Sequence, residues 1–332
     1  MPYTSNPDLP TLKLPFEWNG TPIDERGRFV NYEFPFVDSF KEVLRWQFTR
    51  NPQKSEKKTE QWRAEVLQNQ GFLDSKKDCI VWLGHASFFI RLAGITFLID
   101  PVLFNISLIK RQSALPVSAA DLRNIDYILV SHDHRDHCDE KSLKLLAKNN
   151  PDATYLTGLN LAPVIQRFTH SSKIQTAGWF QQYETAEAIK VFYVPSRHWG
   201  RRFLNDTNLQ LWGGYIIQGA GKTIYFGGDS GYGKHFADIA SVFPAIDFAM
   251  IGIGAYKPEF FMGQSHTSPT DAVKAFNDTK AKVMIPMHYG TFDLADEPLG
   301  DPLRVMHKLE KQGAINGDLK ALKVGEVLTP NP

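Results

Sequence analysis

From residue 79 onward the chain is written as short apolar runs, and several of them end on histidine or aspartate. "DYILV" runs into His132, Asp133, His134, Asp136 and His137; "VFYV" is followed by His198, "TIYF" by Asp229, and "VMIP" by His288. Runs of four to six β-branched and aromatic residues bounded by glycine-rich turns read as strands buried on both faces. A chain that ends such strands on ionisable side chains brings them to one rim of its sheets.

Helical patterns separate some of these strands: "EKSLKLLAKN", "SPTDAVKAFNDT" and "DPLRVMHKLEKQG". In the second, Ser268 is placed to cap, Pro269 to take the first helical position and Asp271 to complete a capping box; the third ends on Gly313. Buried strands with helices outside imply a layered α/β body. No internal repeat is visible along the chain.

Residues 1–70 read differently from 71–332. The first 35 residues, rich in Pro, Asn and aromatics without a period, suggest an extended arm on the body. "VDSFKEVLRWQFTR" reads as a short amphipathic helix with Ser39 and Glu42 as its capping box and Phe40, Val43, Leu44 and Gln47 on one face. "NPQKSEKKTEQW" reads as a polar connector. Phe34, Phe36, Phe40 and Trp46 are candidates either for covering the core or for peripheral contact with a membrane.

At 332 residues and 42% hydrophobic composition the chain can bury a full core. Its formal net charge of +1 provides no basic field for nucleic acid. Two cysteines, Cys79 and Cys138, are too few for a disulfide framework, which fits a reducing compartment. The N-terminal stretch lacks the apolar core of a signal peptide and no 18-residue apolar run occurs, so a cytoplasmic protein is expected, at most peripheral to a membrane. The sequence leaves the oligomeric state open.

A pair of histidines two apart on an extended segment points both rings to one side, and a following turn can return Asp136 and His137 towards them. Imidazoles and carboxylates suit zinc, iron or manganese, and five histidines with two aspartates exceed one tetrahedral shell. Buried without a cation, such groups would cost several kcal/mol each. Isolated histidines such as His170, His235 and His307 are instead read as surface or satisfied core residues.

"HDHRDH" resembles the HxHxDH motif of the metallo-β-lactamase superfamily, with a later His, Asp and His in that superfamily's order. "VWLGHASFFI", "FLIDPVLF", "SRHWGRR", "GGDSGY", "IGIGAYKPEFFMG" and "PMHYGTF" are similar to its N-acylphosphatidylethanolamine-hydrolysing phospholipase D branch and bacterial relatives, over roughly residues 27–295. The resemblance implies a four-layer αββα sandwich with two divalent metals, zinc first and iron or manganese as alternatives. It implies that His132, His134 and His198 hold one ion and Asp136, His137 and His288 the other, with Asp229 bridging. His85 and Asp100 would orient ligands. Arg135 and Cys138 depart from the family pattern.

Two adjacent cations can bring a shared water's pKa near neutrality and clamp the attacking and leaving oxygens, so the nucleophile would be a bridging hydroxide. Ser230 lacks the G-x-S-x-G surroundings of a serine nucleophile. Asp133 is a candidate for orienting a ligand or accepting a proton, and His266, just before a helix, for protonating a leaving oxygen or touching phosphate. Arg197, Arg201 and Arg202 are candidates for holding an anion, and Tyr256 and Tyr289 for donating to a substrate oxygen. The expected activity is a phosphodiesterase of phospholipase D type acting on a small molecule or phospholipid. The alternatives are a lactonase, esterase or phosphorylated-metabolite hydrolase, or a non-catalytic metal- or lipid-binding module.

Overall fold

The computed structural model describes residues 2–35 and 40–330. Its strands are β1 (Tyr3–Thr4), β2 (Thr21–Pro22), β3 (Cys79–Gly84), β4 (Ser87–Leu92), β5 (Ile95–Ile99), β6 (Tyr127–Val130), β7 (Thr154–Gly158), β8 (Ile174–Ala177), β9 (Gln181–Gln182), β10 (Ile189–Val194), β11 (Gly214–Gly219), β12 (Lys222–Phe226), β13 (Phe248–Gly252), β14 (Val283–Met287), β15 (Asp318–Leu319) and β16 (Val327–Leu328). The helices are α1 (Phe40–Phe48), α2 (Lys54–Thr59), α3 (Gly71–Asp74), α4 (Glu140–Asn149), α5 (Ala162–Thr169), α6 (His235–Val242), α7 (Glu259–Met262), α8 (Pro269–Thr279) and α9 (Asp301–Lys311).

Two seven-stranded sheets result, ordered β16-β3-β4-β5-β6-β7-β8 and β15-β14-β13-β12-β11-β10-β9. Each contains a three-stranded antiparallel meander, β3-β4-β5 or β10-β11-β12, continued by parallel strands. The two halves therefore share one plan that the sequence does not display as a repeat.

The period of two along each strand divides the core. Ile80, Trp82, Phe88, Ile90, Phe97 and Ile99 share one cluster with Val191, Tyr193 and Ile217 of the second sheet. The alternate residues Val81, Phe89, Leu98 and Ile128 join a second cluster with Leu143 and Leu146 of α4 and Val164, Ile165 and Phe168 of α5. Phe236 and Ile239 of α6, Ala272 and Phe276 of α8 and Met306 of α9 belong to the larger cluster together with Met250 and Met284. Each such fully buried side chain contributes about 1.5–3 kcal/mol. The predicted αββα sandwich is the observed architecture.

The boundaries of α4 coincide with the predicted run, and Ser268 caps α8 by accepting from the Asp271 amide at 3.2 Å. The capping box at Ser39 and the aromatic Phe36 lie outside the described residues. Residues expected to form a connector instead include α2, because Arg304 of α9 reaches Glu56 at 2.9 Å and Glu60 at 2.8 Å and holds that turn against the body. Such long-range pairing is invisible to a local reading.

The first 70 residues are not separate from the core. Leu9, Phe29 and Ala64 are buried in the larger cluster, Thr11 bridges to Gln181, and Val66 bridges to Val324. Among the described residues no helix is long and apolar enough to cross a membrane.

Candidate metal centre

The polar side chains meet where β6, β10, β12 and β14 end. In a parallel sheet the carboxyl ends of the strands open onto loops, so residues just past them face one crevice. Backbone geometry sharpens the convergence: His85, Asp100 and His288 all adopt positive φ, at 55°, 41° and 61°. Non-glycine residues in that region are held there by their surroundings and cluster at functional sites. Gly228, at φ 60°, precedes Asp229 where a β-carbon would stand 2.5 Å from the Gly213 carbonyl oxygen, so only glycine fits.

Two groups of donors lie side by side. His132, His134 and His198 bring ring nitrogens within 4.8 Å of one another, and so do the ligand atoms of His85, Asp136, His137 and His288. In the first group Nδ1 of His134 stands 3.1 Å from Nε2 of both His132 and His198. Asp229 lies between the groups: its Oδ2 is 3.1 Å from Nε2 of His137, 3.2 Å from that of His288 and 3.9 Å from those of His132 and His198. The resemblance implies a bridging role for Asp229, and its Oδ2 lies within 3.9 Å of nitrogens from both groups.

The donors fit a cation better than they fit each other. Nε2 of His137, both ring nitrogens of His288 and both carboxylate oxygens of Asp229 are buried without an aligned hydrogen-bond partner. An unsatisfied buried polar group costs roughly 1–3 kcal/mol, more when charged. Burial by itself would raise the carboxyls of Asp229 and Asp136, yet the charge of His137 and the neighbouring imidazoles hold both well below the usual range. The cluster thus presents ionised carboxylates to a common space, and a cation there would take the place of the imidazole protons that now balance them.

The far sides of the rings are tied down. Nδ1 of His198 donates to the Ser265 carbonyl at 2.9 Å, and Nδ1 of His137 donates to Oδ2 of Asp100 at 2.7 Å. Ser131 donates to that same carboxylate and lies 2.9 Å from Nδ1 of His132. Partners of this kind fix the tautomer and aim the other nitrogen. His85 hydrogen-bonds Asp136 at 3.2 Å, and burial pushes its imidazole down to about 3. Ser131, Ser265 and Asn31, which brackets the His198 backbone with bonds of 3.0 and 3.2 Å, escaped the sequence reading because serine and asparagine in loops carry no periodic signal.

His266 enters the same space, its Nδ1 3.7 Å from Oδ2 of Asp229 and its ring 5.3 Å from that of His288. Burial pushes it down to about 4, so it sits there neutral. Asp133 does not join the cluster. Its Oδ1 accepts from the Arg201 amide at 3.0 Å, and burial, with Asp206 nearby, pushes its carboxyl up to about 7. Through that bond it is tied to the 200–206 loop.

The arginines and tyrosines divide. Arg201 lines the cleft above the cluster, as does Arg135. Arg202 is buried, donating to the carbonyls of Cys138 at 2.6 Å and Asp133 at 3.3 Å, and Arg197 donates to the Tyr232 carbonyl at 2.8 Å beneath Phe34. Tyr256 is spent on Asp301, and the Tyr289 ring is stacked between Trp62 and Trp82. All four side chains are engaged within the protein, and of the five residues expected to meet substrate Arg201 alone lines this cleft. Cys138 is a packed core residue whose thiol burial pushes up to about 12.

The cleft holds about 530 Å³ and is walled by Val43 and Trp46 of α1, Ile106, Ile109, Trp199 and Phe261, with the cluster at its floor. Trp46 stacks on Phe261 with centroids 5.2 Å apart.

A profile described as "Beta-lactamase superfamily domain" matches residues 96–289, more than half of the chain and all seven proposed ligands. The chain belongs to the beta-lactamase superfamily. It is 31% identical over 227 residues to N-acyl-phosphatidylethanolamine-hydrolyzing phospholipase D 1 of Caenorhabditis elegans, covering 64% of each protein. It is 29% identical over 252 residues to a metal-dependent hydrolase of Pelotomaculum thermopropionicum, covering 74% of this chain and 97% of that one. The chain thus spans less than two thirds of the Caenorhabditis elegans relative's length. Among solved structures it resembles a metallo hydrolase from the archaeon Ignicoccus hospitalis, with a TM-score of 0.59 at 19% identity over 76% of this chain and 97% of that one. That likeness bears on the fold alone, and it agrees with the sandwich described above.

Proposed function

We propose that this superfamily member is a metal-dependent hydrolase with two divalent cations, zinc foremost, and that it cleaves a phosphodiester as a phospholipase D of the N-acylphosphatidylethanolamine type does. The observation that carries the reading is the buried Asp229 carboxylate, within 3.9 Å of nitrogens from both donor groups at the floor of an apolar cleft. His132, His134 and His198 would hold one ion, Asp136, His137 and His288 the other, and Asp229 both. When bound, such a pair activates water and steadies negative charge on phosphoryl or acyl oxygens.

The protein's own contribution is placement. Asp100, Ser131 and Ser265 aim the imidazoles, the apolar walls exclude bulk water and accept acyl chains, and Arg201 and Arg135 offer positive charge at the mouth. His266, neutral and 3.7 Å from Asp229, is placed to offer a ring N–H hydrogen bond to an oxygen of the substrate. The Caenorhabditis elegans relative named a phospholipase D supports the phosphodiester.

A second reading, a lactonase or esterase, is favoured by one feature: with Arg197 and Arg202 committed elsewhere, two arginines alone among the described residues border the cleft. The deciding experiment is metal content by elemental mass spectrometry together with hydrolysis of N-acylphosphatidylethanolamine, a generic phosphodiester and a lactone, on the wild type and on Asp229→Ala. Two metals with phosphodiester turnover lost in the variant support the first reading; lactone turnover alone selects the second; no metal defeats both.

A further inference from the structure

Two phenols cross the interior of the sandwich and meet the strand end that carries the first histidines. Tyr193 on β10 and Tyr215 on β11 lie opposite each other in the antiparallel register, with ring centroids 5.3 Å apart, and both are fully buried. The Tyr193 hydroxyl donates to the Ser131 carbonyl at 2.7 Å, with the Leu211 carbonyl 3.3 Å away. The Tyr215 hydroxyl stands between the Val130 and Leu156 carbonyls, at 2.7 and 2.8 Å. Val130 ends β6, and Ser131 is the residue before His132.

The chain makes room for these contacts. A β-carbon at Gly158 would lie 2.6 Å from the Tyr193 hydroxyl oxygen and 2.5 Å from the Leu211 carbonyl oxygen, and one at Gly213 would lie 2.7 Å from Cζ of Tyr193. Apolar packing between two sheets is non-directional, whereas a buried hydroxyl needs a partner at a set distance and angle. Each phenol remains an O–H donor, because burial holds it far above its ordinary range. Ser131 is thereby bonded at every polar group. Its amide donates to Oδ1 of Asp100 at 2.7 Å, its hydroxyl donates to Oδ2 at 2.5 Å, and its carbonyl accepts from Tyr193 and, at 3.2 Å, from the Gly213 amide. The same hydroxyl lies 2.9 Å from Nδ1 of His132.

We propose that Tyr193 and Tyr215 are positioning residues for the metal centre: by pinning the Ser131 and Val130 carbonyls from the opposite sheet, they set where the His132 ring stands relative to His198. The need follows from the order of the donors. His132 follows β6 of one sheet and His198 follows β10 of the other, so the gap between their rings depends on how the two sheets align. Tyr193 belongs to β10 itself and ties that strand to the residue before His132. The proposal rests on the reading of His132, His134 and His198 as ligands and adds which residues hold them in register. Tyr183 supplies a contrast within the same group of rings. It is as deeply buried, with its centroid 6.4 Å from that of Tyr193, but its hydroxyl donates to the Thr157 carbonyl of β7 at 2.7 Å, one strand away from the histidines.

The test titrates the metal-free full chain with Co2+, following its visible absorption bands and its competition with a chromophoric chelator, on wild type, Tyr193→Phe, Tyr215→Phe and Tyr183→Phe. Urea unfolding of the same metal-free proteins runs alongside. Each substitution removes one oxygen atom and keeps the ring, and either of the first two variants suffices if the other does not fold. The urea midpoint is expected to fall by a similar amount in all three. Co2+ affinity is expected to fall about five- to tenfold in Tyr193→Phe and Tyr215→Phe, with shifted absorption bands, and to stay at the wild-type value in Tyr183→Phe. A loss of global stability leaves a dissociation constant unmoved while the chain stays folded, so this split separates placement from packing. Wild-type affinity and bands in Tyr193→Phe and Tyr215→Phe overturn the proposal, and so does an equal loss of affinity in Tyr183→Phe; both outcomes leave the metal reading standing. A wild type that binds no Co2+ defeats that reading and the proposal together.

Discussion

Oδ2 of Asp100 lies 2.7 Å from Nδ1 of His137, and both groups are fully buried. The carboxylate accepts a hydrogen bond from the Nδ1–H of His137, which aims Nε2 at Asp229 and leaves that nitrogen to give its lone pair to a cation when one is bound. Asp100→Asn keeps the shape but can present an amide N–H to the ring, which favours the wrong tautomer. We expect metal affinity to fall about 10–100-fold, measured by competition with a chromophoric chelator, with the circular dichroism spectrum unchanged.

Metal removal has its own signature. Because several of these buried donor atoms have no protein partner, a bound cation is expected to stabilise the fold, and chelation with EDTA to remove about 2.7 kcal/mol relative to metal held at a hundred times its dissociation constant. The midpoint of thermal unfolding is expected to drop on chelation and to return when zinc is restored. In Asp229→Ala the metal-dependent shift largely disappears; an unchanged shift in that variant would remove Asp229 from the coordination set.

Arg202 separates a structural from a substrate-binding role. Its buried guanidinium serves the Cys138 and Asp133 carbonyls and lies 5.0 Å from the Phe168 ring centre. Arg202→Ala is expected to cost about 1–3 kcal/mol in urea unfolding. Arg201→Ala, at the exposed cleft mouth, is expected to leave stability nearly unchanged while raising KM for an anionic substrate.

Acid sensitivity is predicted outside the metal cluster, at His235. Its Nε2 lies 2.9 Å from Ser230 Oγ, and burial, reinforced by Arg197 and Lys234, pushes the imidazole down to about 3. Below an unfolded value near 6.5 the unfolded chain takes a proton that the folded one refuses, so stability falls as pH drops from about 6.5 towards 3. His235→Gln is expected to flatten the dependence by up to about 1.4 kcal/mol per pH unit across that window, read from urea denaturation at pH 4.5 and 7.

Much of this was legible beforehand because strand ends carry their chemistry in order. The seven proposed ligands could be picked from His132, His134, Asp136, His137, His198, Asp229 and His288 before any geometry, since each follows an apolar run. The arginines could not be sorted: "SRHWGRR" places Arg197, Arg201 and Arg202 within six residues, yet side-chain direction on an irregular loop is set by distant partners such as Tyr232 and Cys138. For the same reason α2 was hidden, since its ion-pair partner Arg304 lies some 240 residues away. Helices α5 and α6 were missed where "VIQRF" and "HFADIASV" lie between strands without strong caps.

The two halves of the sandwich contribute unequal shares of the cluster in a fixed order. His132, His134, Asp136 and His137 follow β6 of the first sheet, whereas His198, Asp229 and His288 follow β10, β12 and β14 of the second. During synthesis the first four emerge long before the last, and neither donor group is complete until the second sheet has docked on the first. A tightly held cation therefore marks a finished molecule: the centre closes only after the fold has.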